Sequence, residues 1–562
     1  MPTLDNEVSY LSGVDASGSV VGTSFHIWDG NSPATYTGSA HNNRSLVAKW
    51  GTRTAGASSG AINYVFDPAW TTTEQNQFRA VMAFYSAVAN ITFNEVASLS
   101  GSGITITKGT GHNAFAQGSL LGSGSAGTVG GTALWGENTV TVSIDPTTPG
   151  FGPMDGTFTT AGGYPWLTMF HEIGHAVGLG HSGPYNEGDG VNADTAQYSA
   201  YDSTLYTVMS YINPSDPNAT YFNSYADSGT NWGYVRQGNA LWPKNPVTLM
   251  PLDILALQRL YGTPTSATTL TVGHTFGFNT DIAGTLKGFY DFNVNTAPVV
   301  TIWDSAANNA LDLSGFTSFE TVNLNPGTYS SAGIARSDNG STSINMINNI
   351  AIAYGTAINT LFCGSGSDVV ICNTNGDIVH GGAGNDTVAG GIGNDTLWGD
   401  SGSNNLSGGA GIDTAKYAFA RNTYAVAHNS NGTLTVTGNG AVDTLSGIEF
   451  LSFTDTTIAA FGALPFDFDG NGTSDVLWKS PSYTYTQWLM NGTSIASNTV
   501  LGSVPSYWAI VGSGDFNGDG KAEVLWHHKT TGAGYRPVGR HAAQIQLGRC
   551  GDAIHRPSAI GS

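Results

Sequence analysis

The sequence predicts an α+β N-terminal half, then an all-β region built as a parallel β-roll, then a small β-rich repeat module. Three observations predict this. The string His171-Glu172-Ile173-Gly174-His175-Ala176-Val177-Gly178-Leu179-Gly180-His181 lies in a helical apolar pattern preceded by strand-like runs. Glycine- and aspartate-rich units of nine residues recur in phase over residues 354–416. A pattern that starts at Asp467 returns forty-eight residues later at Asp515.

Residues 1–57 are polar and rich in glycine and serine, and are expected to form an N-terminal extension. Residues 58–262 read as a catalytic domain. Ala61 to Phe66 is strand-like, and Thr71 with Glu74 forms a capping box that opens a helix carrying Phe78, Val81, Met82, Tyr85 and Val88. Strand patterns at Gly103 to Thr107 and Thr139 to Ile144 complete a twisted sheet.

In the histidine string, Trp166, Phe170, Ile173 and Val177 make an apolar stripe, and Pro165 suits the first helical position. His171 and His175, four residues apart, share one helix face and can bind one ion. Gly174, Gly178 and Gly180 each cost about 1 kcal/mol in a helix, so the helix should stop near Gly178. His181 then arrives from another direction. Three protein ligands leave zinc's fourth position open, the mark of a catalytic site holding one Zn2+. Glu172, one residue round from His171, is placed as general base.

The string, followed by the Met-containing turn Thr207-Val208-Met209-Ser210-Tyr211, resembles the metzincin metalloproteases. Met209-Ser210-Tyr211 resembles the Met-turn of their serralysin branch. Ser182 departs from it, because serralysins carry proline there and a serine is more like the matrixin branch. Asn90 to Val96 and Pro251 to Gly262 agree with serralysin, and the likeness runs from about Ser58 to Asp455. It implies an α+β metzincin-type catalytic domain, with Met209 beneath the zinc and Tyr211 as a further, switchable ligand that stabilises the oxyanion. It also implies an endopeptidase acting on proteins and peptides, with Ala133-Leu134-Trp135 as the edge strand that aligns substrate.

Residues 263–270 read as a linker and 271–462 as a β-sandwich/β-roll domain. Nine-residue units begin at Tyr354, Cys363, Cys372, Gly381, Gly390, Gly399 and Gly408. Those from Gly381 and Gly390 fit the calcium nonapeptide G-G-x-G-x-D-x-U-x fully, and that from Gly408 departs at Ala415. The expected ligands to several structural Ca2+ ions are Gly364, Gly366 and Asp368; Asp377; Gly381, Gly382, Gly384 and Asp386; Gly390, Gly391, Gly393 and Asp395; and Gly408, Gly409, Gly411 and Asp413. Successive loops should lie on opposite edges, with ions between loops eighteen residues apart. The best-formed stacks are expected at Asp368/Asp386 and Asp395/Asp413. Weaker sites are expected at Asn404 and at the Cys372 to Asn375 segment before Asp377.

Residues 463–533 carry the second repeat. Asp467, Asp469, Asn471 and Asp475, then Asp515, Asn517, Asp519 and Glu523, place oxygen ligands at positions 1, 3, 5 and 9 with glycine at 6, a calcium-loop pattern. It resembles the FG-GAP repeat of β-propellers. Residues 534–562, with Arg536, Arg540, Arg549 and Arg556, break the pattern and are expected to be disordered, the product of a frameshift or similar alteration.

Composition narrows the function. With a formal charge of −21 and only 19 Lys and Arg, no nucleic-acid partner is expected; bound calcium would neutralise part of the charge. No apolar run approaches the ~18 residues of a membrane span, so no stable membrane insertion is expected. No signal peptide is visible at the N-terminus. Nonapeptide-repeat proteins leave Gram-negative cells through a one-step ABC-type exporter and fold in extracellular calcium, so a secreted monomer exported that way is expected. Cys363, Cys372 and Cys550 do not make a disulfide framework, and none precedes the zinc string, so latency by a thiolate is not expected. The rival reading is a calcium-stabilised extracellular binding or structural protein whose zinc site is inactive.

Overall fold

Two capping devices fix the helices that carry the N-terminal half. Thr71 Oγ1 accepts from Glu74 N–H while Glu74 Oε2 accepts from Thr71 N–H, so helix α2 (Thr72–Val88) starts where the sequence predicts. Helix α3 (Tyr164–Ala176) begins with proline in its first turn. It ends because Gly178 has φ +98°, and a Cβ there would strike the Ala48 carbonyl. Helix α1 (Leu4–Ser12) precedes them and α4 (Pro251–Tyr261) follows.

The computed structural model describes residues 2–21, 47–111, 113–120, 134–146, 162–186, 191–224, 229–237, 240–265, 270–338, 340–429, 431–460, 466–469, 473–491, 493–514, 521–530 and 534–535. The chain divides into two units, one of residues 1–411 with 437–446, the other of 412–436 with 447–562.

In the first unit, β1 (Ala48–Lys49), β2 (Ala61–Phe66), β3 (Thr92–Glu95), β4 (Gly103–Lys108), β5 (Ala114–Leu120) and β6 (Trp135–Ile144) form one sheet. Its order is β1-β6-β4-β2-β3, with β5 pairing antiparallel to β6. Every other pairing is parallel. Phe84 of α2 packs against Phe170 of α3 at 5.8 Å, and Trp166 of α3 against Phe289 of the short helix Lys287–Tyr290 at 5.7 Å.

Residues set apart as an N-terminal extension contact residues of the 58–262 segment where they are described. Asp5 of α1 pairs with Arg259 of α4, and Tyr10 stacks on Tyr198 at 4.0 Å. Gly180 N–H donates to the Leu11 carbonyl at 2.9 Å, between two of the predicted zinc ligands.

The repeat region of this unit is two parallel ladders. One runs Thr321–Asn323, Val369–Ile371, Thr387–Ala389, Asn405–Ser407 and Ala441–Ser446. The other includes Asn309–Asp312, Ile358–Phe362, Ile378–His380 and Thr396–Trp398. Successive repeats therefore alternate between sheets, and Val370, Val388, Leu406 and Leu361, Val379, Leu397 bury the apolar position of each.

In the second unit, Thr414–Lys416 pairs with Phe450–Ser452 and that with Thr457–Ala459. Two three-stranded antiparallel sheets follow, their core made by Tyr485, Val504 and Trp526. Gly534–Tyr535 pairs with Trp526 and His527. Asn471, Asp515, Asn517, Asp519 and the tail from 536 lie outside the described residues.

Candidate active site and cation loops

The three predicted histidines converge. Nε2 of His171, His175 and His181 stand 3.1–3.2 Å from one another. Each Nδ1 faces a backbone carbonyl: Val208 at 2.9 Å, Leu179 at 2.8 Å and Tyr185 at 2.7 Å. A carbonyl can only accept, so Nδ1 carries the proton and each Nε2 lone pair is left to face the other two. Burial pulls His171 down to about 4, against its bond to Val208, which keeps it a neutral ligand. Tetrahedral nitrogen ligands of zinc stand about 3.3 Å apart, so the residues fit the ion.

Met209 is fully buried beneath α3. A Cβ on Gly174 would lie 2.6 Å from its sulfur, which explains a glycine inside the helix between the two histidines. Tyr211 is 42% exposed; its ring centroid lies 4.8 Å from that of His181 and 5.7 Å from that of His171. Its hydroxyl donates to Asn186 Oδ1 at 3.4 Å.

Two buried carboxylates outside the string hold this arrangement. Asp253, on the first turn of α4, accepts from Thr207 Oγ1 at 2.5 Å and from the N–H groups of Val208 and Met250, both at 2.9 Å. It thereby fixes the carbonyl that orients His171, and burial raises it to about 7 against those bonds. Asp202 Oδ1 accepts from Ser182 Oγ and Tyr185 Oη, both at 2.5 Å, and from Ser210 Oγ at 2.8 Å. Tyr185 in turn supplies the carbonyl for His181 and accepts from Tyr211 N–H at 3.3 Å. Ser182, the departure from the serralysin pattern, is thus a buried donor to Asp202. Sequence reasoning missed Asp253, Asp202 and Tyr185; the first was visible only as part of the PLDILALQRLYG stretch.

These groups open onto a cleft of about 910 Å³ lined by Phe115 to Gln117, Glu172, the three histidines, Tyr185, Asn186, Tyr211 and Trp242. The strand along it is β5, whose only partner among the described residues is β6. This corrects the expectation that Ala133-Leu134-Trp135 is the edge strand. Trp135 opens β6, which pairs with β1, β4 and β5; Leu134 is buried, and Ala133 lies outside the described residues.

In the repeat region the aspartates form ladders of their own. Asp368 N–H donates to Asp386 Oδ1, Asp386 N–H to Asn404 Oδ1 and Asn404 N–H to Asp443 Oδ1, at 2.8, 2.9 and 2.9 Å. On the other edge Asp377 N–H donates to Asp395 Oδ1 at 2.8 Å. In the second unit Asp413 N–H donates to Glu449 Oε2 at 2.8 Å. Asp443 and Glu449 lie outside the nonapeptide phase and were not predicted.

Oδ2 of Asp368 and of Asp386 is buried without a hydrogen-bond partner. The carbonyls of Gly364 and Gly366 face Gly382 and Gly384, and those of Gly391 and Gly393 face Gly409 and Gly411, where no Cβ would fit. Gly381 and Gly390 leave room for Asp386 and Asp395 Oδ2, and Gly408 turns its carbonyl toward Gly390. Carbonyls and unpartnered carboxylate oxygens along one edge fit a hard cation such as calcium. Asp377 differs, because Asn373 donates to both its oxygens, at 2.8 and 3.0 Å. In the last module, carboxylate oxygens of Asp467, Asp469 and Asp475 lie within 4.8 Å of one another, and Glu523 opens the strand Glu523–His528. Cys363 and Cys372 are buried, form no disulfide, and bond into different ladders.

Comparison with known proteins agrees. Residues 355–388 and 380–415 match the RTX calcium-binding nonapeptide repeat family, and residues 467–526 match the FG-GAP-like repeat. The chain is 30% identical over 306 residues to metalloprotease AprA of Pseudomonas entomophila, covering 53% of this chain and 52% of that one. It is 31% identical over 207 residues to serralysin C of Dickeya chrysanthemi, 37% of this chain and 36% of that one. It is 30% identical over 311 residues to serralysin B of the same organism, 53% of each. The chain spans about half the length, or less, of these curated relatives. Its likeness to the serralysin and AprA metalloproteases implies zinc at the three histidines, and its RTX repeats imply calcium.

Proposed function

We propose that the chain is a secreted zinc-dependent endopeptidase of the serralysin type, with a metzincin-type catalytic domain joined to a calcium β-roll. The observation that carries this reading is the convergence of three imidazole nitrogens within 3.2 Å on the wall of an open cleft that also contains Glu172.

When bound, zinc supplies Lewis acidity toward a carbonyl oxygen and acidifies water. Glu172 would take the water proton and return it to the leaving amine, a role worth roughly 100- to 10,000-fold. The hydroxyl of Tyr211, held beside His181 on the cleft wall, would turn from Asn186 to donate to the oxyanion. The free edge of β5 would take an extended peptide as an added strand and hold its backbone in line with Glu172.

The same residues support folding outside the cell. A ladder of aspartates with buried, unpartnered oxygens is costly without a cation, so the β-roll would form where calcium is plentiful. Export through a one-step exporter is consistent with that, and no helix among the described residues is long and apolar enough to cross a membrane.

The test is cleavage of casein with and without a zinc-selective chelator at fixed high calcium. Loss of cleavage and its recovery on adding zinc is expected. Cleavage indifferent to the chelator would overturn zinc catalysis, and no cleavage by zinc-loaded protein would favour a binding protein.

A further inference from the structure

The loop geometry of the repeats continues upstream into a segment with no glycine. Ala383 N–H donates to the Gly364 carbonyl at 3.0 Å, and Ser365 N–H donates to the Phe316 carbonyl at 3.1 Å. Thr387 N–H donates to the Asp368 carbonyl at 2.8 Å, and Val369 N–H to the Glu320 carbonyl at 3.0 Å. Asp368 N–H donates to Asp386 Oδ1 and Glu320 N–H to Asp368 Oδ1, both at 2.8 Å. Gly364 and Gly366 face the carbonyls of Phe316 and Ser318 just as Gly382 and Gly384 face those of Gly364 and Gly366. Phe316-Thr317-Ser318-Phe319-Glu320 therefore occupies the place of a loop before the first repeat. The offset is forty-eight residues instead of eighteen, which hides it from the nonapeptide phase.

The side chains at this junction are those of a site. Glu320 is fully buried, and its Oε1 has no hydrogen-bond partner. Asp368 is fully buried, and its Oδ2 has none either. Donor atoms of Glu320, Asp368 and Cys363 lie within 4.8 Å of one another. Two buried acceptors brought together without a donor repel unless a cation or a shared proton lies between them.

We propose that Glu320 and Asp368 close an additional calcium site between segment 316–320 and the first repeat loop, one rung beyond the sites the repeats specify. Calcium is favoured over a thiophilic metal because two carboxylates offer oxygen and a single thiol offers sulfur. Glu320 tops the first ladder in the place that an aspartate takes in a repeat. This inference rests on calcium binding by the repeats and goes beyond it.

The test is a calcium count by equilibrium dialysis on the full chain and on Glu320→Gln, with folding followed by circular dichroism. Glu320→Gln is expected to hold one ion fewer per chain. An unchanged count overturns this site alone; a wild-type chain that binds no calcium overturns it together with the calcium reading of the repeats. Should Glu320→Gln fail to fold, anomalous scattering from calcium in wild-type crystals decides. A peak bonded to Glu320 supports the site, and peaks at the repeat loops with none at Glu320 overturn it.

Discussion

The histidine site and the aspartate ladder bury metal-binding side chains in opposite ways. Each histidine has its own carbonyl, supplied by Val208, Leu179 or Tyr185, and those carbonyls are fixed by single-use contacts such as Asp253 and Asp202. In the ladder each rung is held by the next rung, so one interaction is reused from Asp368 to Asp443. A site of single-use contacts is complete before its ion arrives. A ladder of carboxylates stores repulsion that cations or bound protons relieve, so its order should depend on them.

The largest effect expected from this contrast is on calcium removal. Chelating calcium should expose the repeat amides to hydrogen exchange while α2 and α3 keep more of their protection; equal protection with and without calcium would erase the contrast. The pH dependence has a definite sign. Burial raises Asp377 and Asp386 from 3.8 to about 7, and Asp368 to about 6, with their hydrogen bonds opposing. Between those values the calcium-free folded ladder binds more protons than the unfolded chain, so its stability falls as pH rises from about 4 to about 7. With calcium present the trend should reverse, because the ion needs the carboxylates deprotonated. Thermal midpoints of both forms across that range check this.

Next in size is Glu172→Gln, which should lower kcat by about 100- to 10,000-fold with zinc content and fold unchanged. Casein cleavage at the wild-type rate would refute Glu172 as the base. Asp202→Ala should cost roughly 10- to 100-fold in zinc affinity, because it frees Ser182, Tyr185 and Ser210 together. Competition with a chromogenic chelator measures it, and unaltered affinity would show that His181 is held without the hub. The smallest effect is Thr71→Ala, which removes the α2 cap and should cost about 1 kcal/mol in urea unfolding without changing zinc or calcium content.

Legibility followed the same division. Contiguous patterns were readable: the histidine string, the Thr71–Glu74 box, the end of α3 near Gly178, and the glycine phase of the loops. The groups that hold the histidines were not, because Asp202 and Asp253 gain their meaning only when distant segments meet. β5 was missed as the edge strand for a similar reason, since edge position is set by which strand pairs with which. Glu320, Asp443 and Glu449 continue the ladders outside the nine-residue phase, so no period announces them.

The bond from Gly180 N–H to the Leu11 carbonyl also has a kinetic side. It joins residues at opposite ends of a long stretch of chain, and all six strands of the first sheet and α3 lie between them. Closing so large a loop costs entropy that local helices and hairpins do not, so this clasp is expected to close after them. The segment between the second and third histidines would then be finished only after the surrounding fold. For an enzyme that would cut extended peptide, a clasp that closes late keeps its own unfolded chain from meeting a completed site.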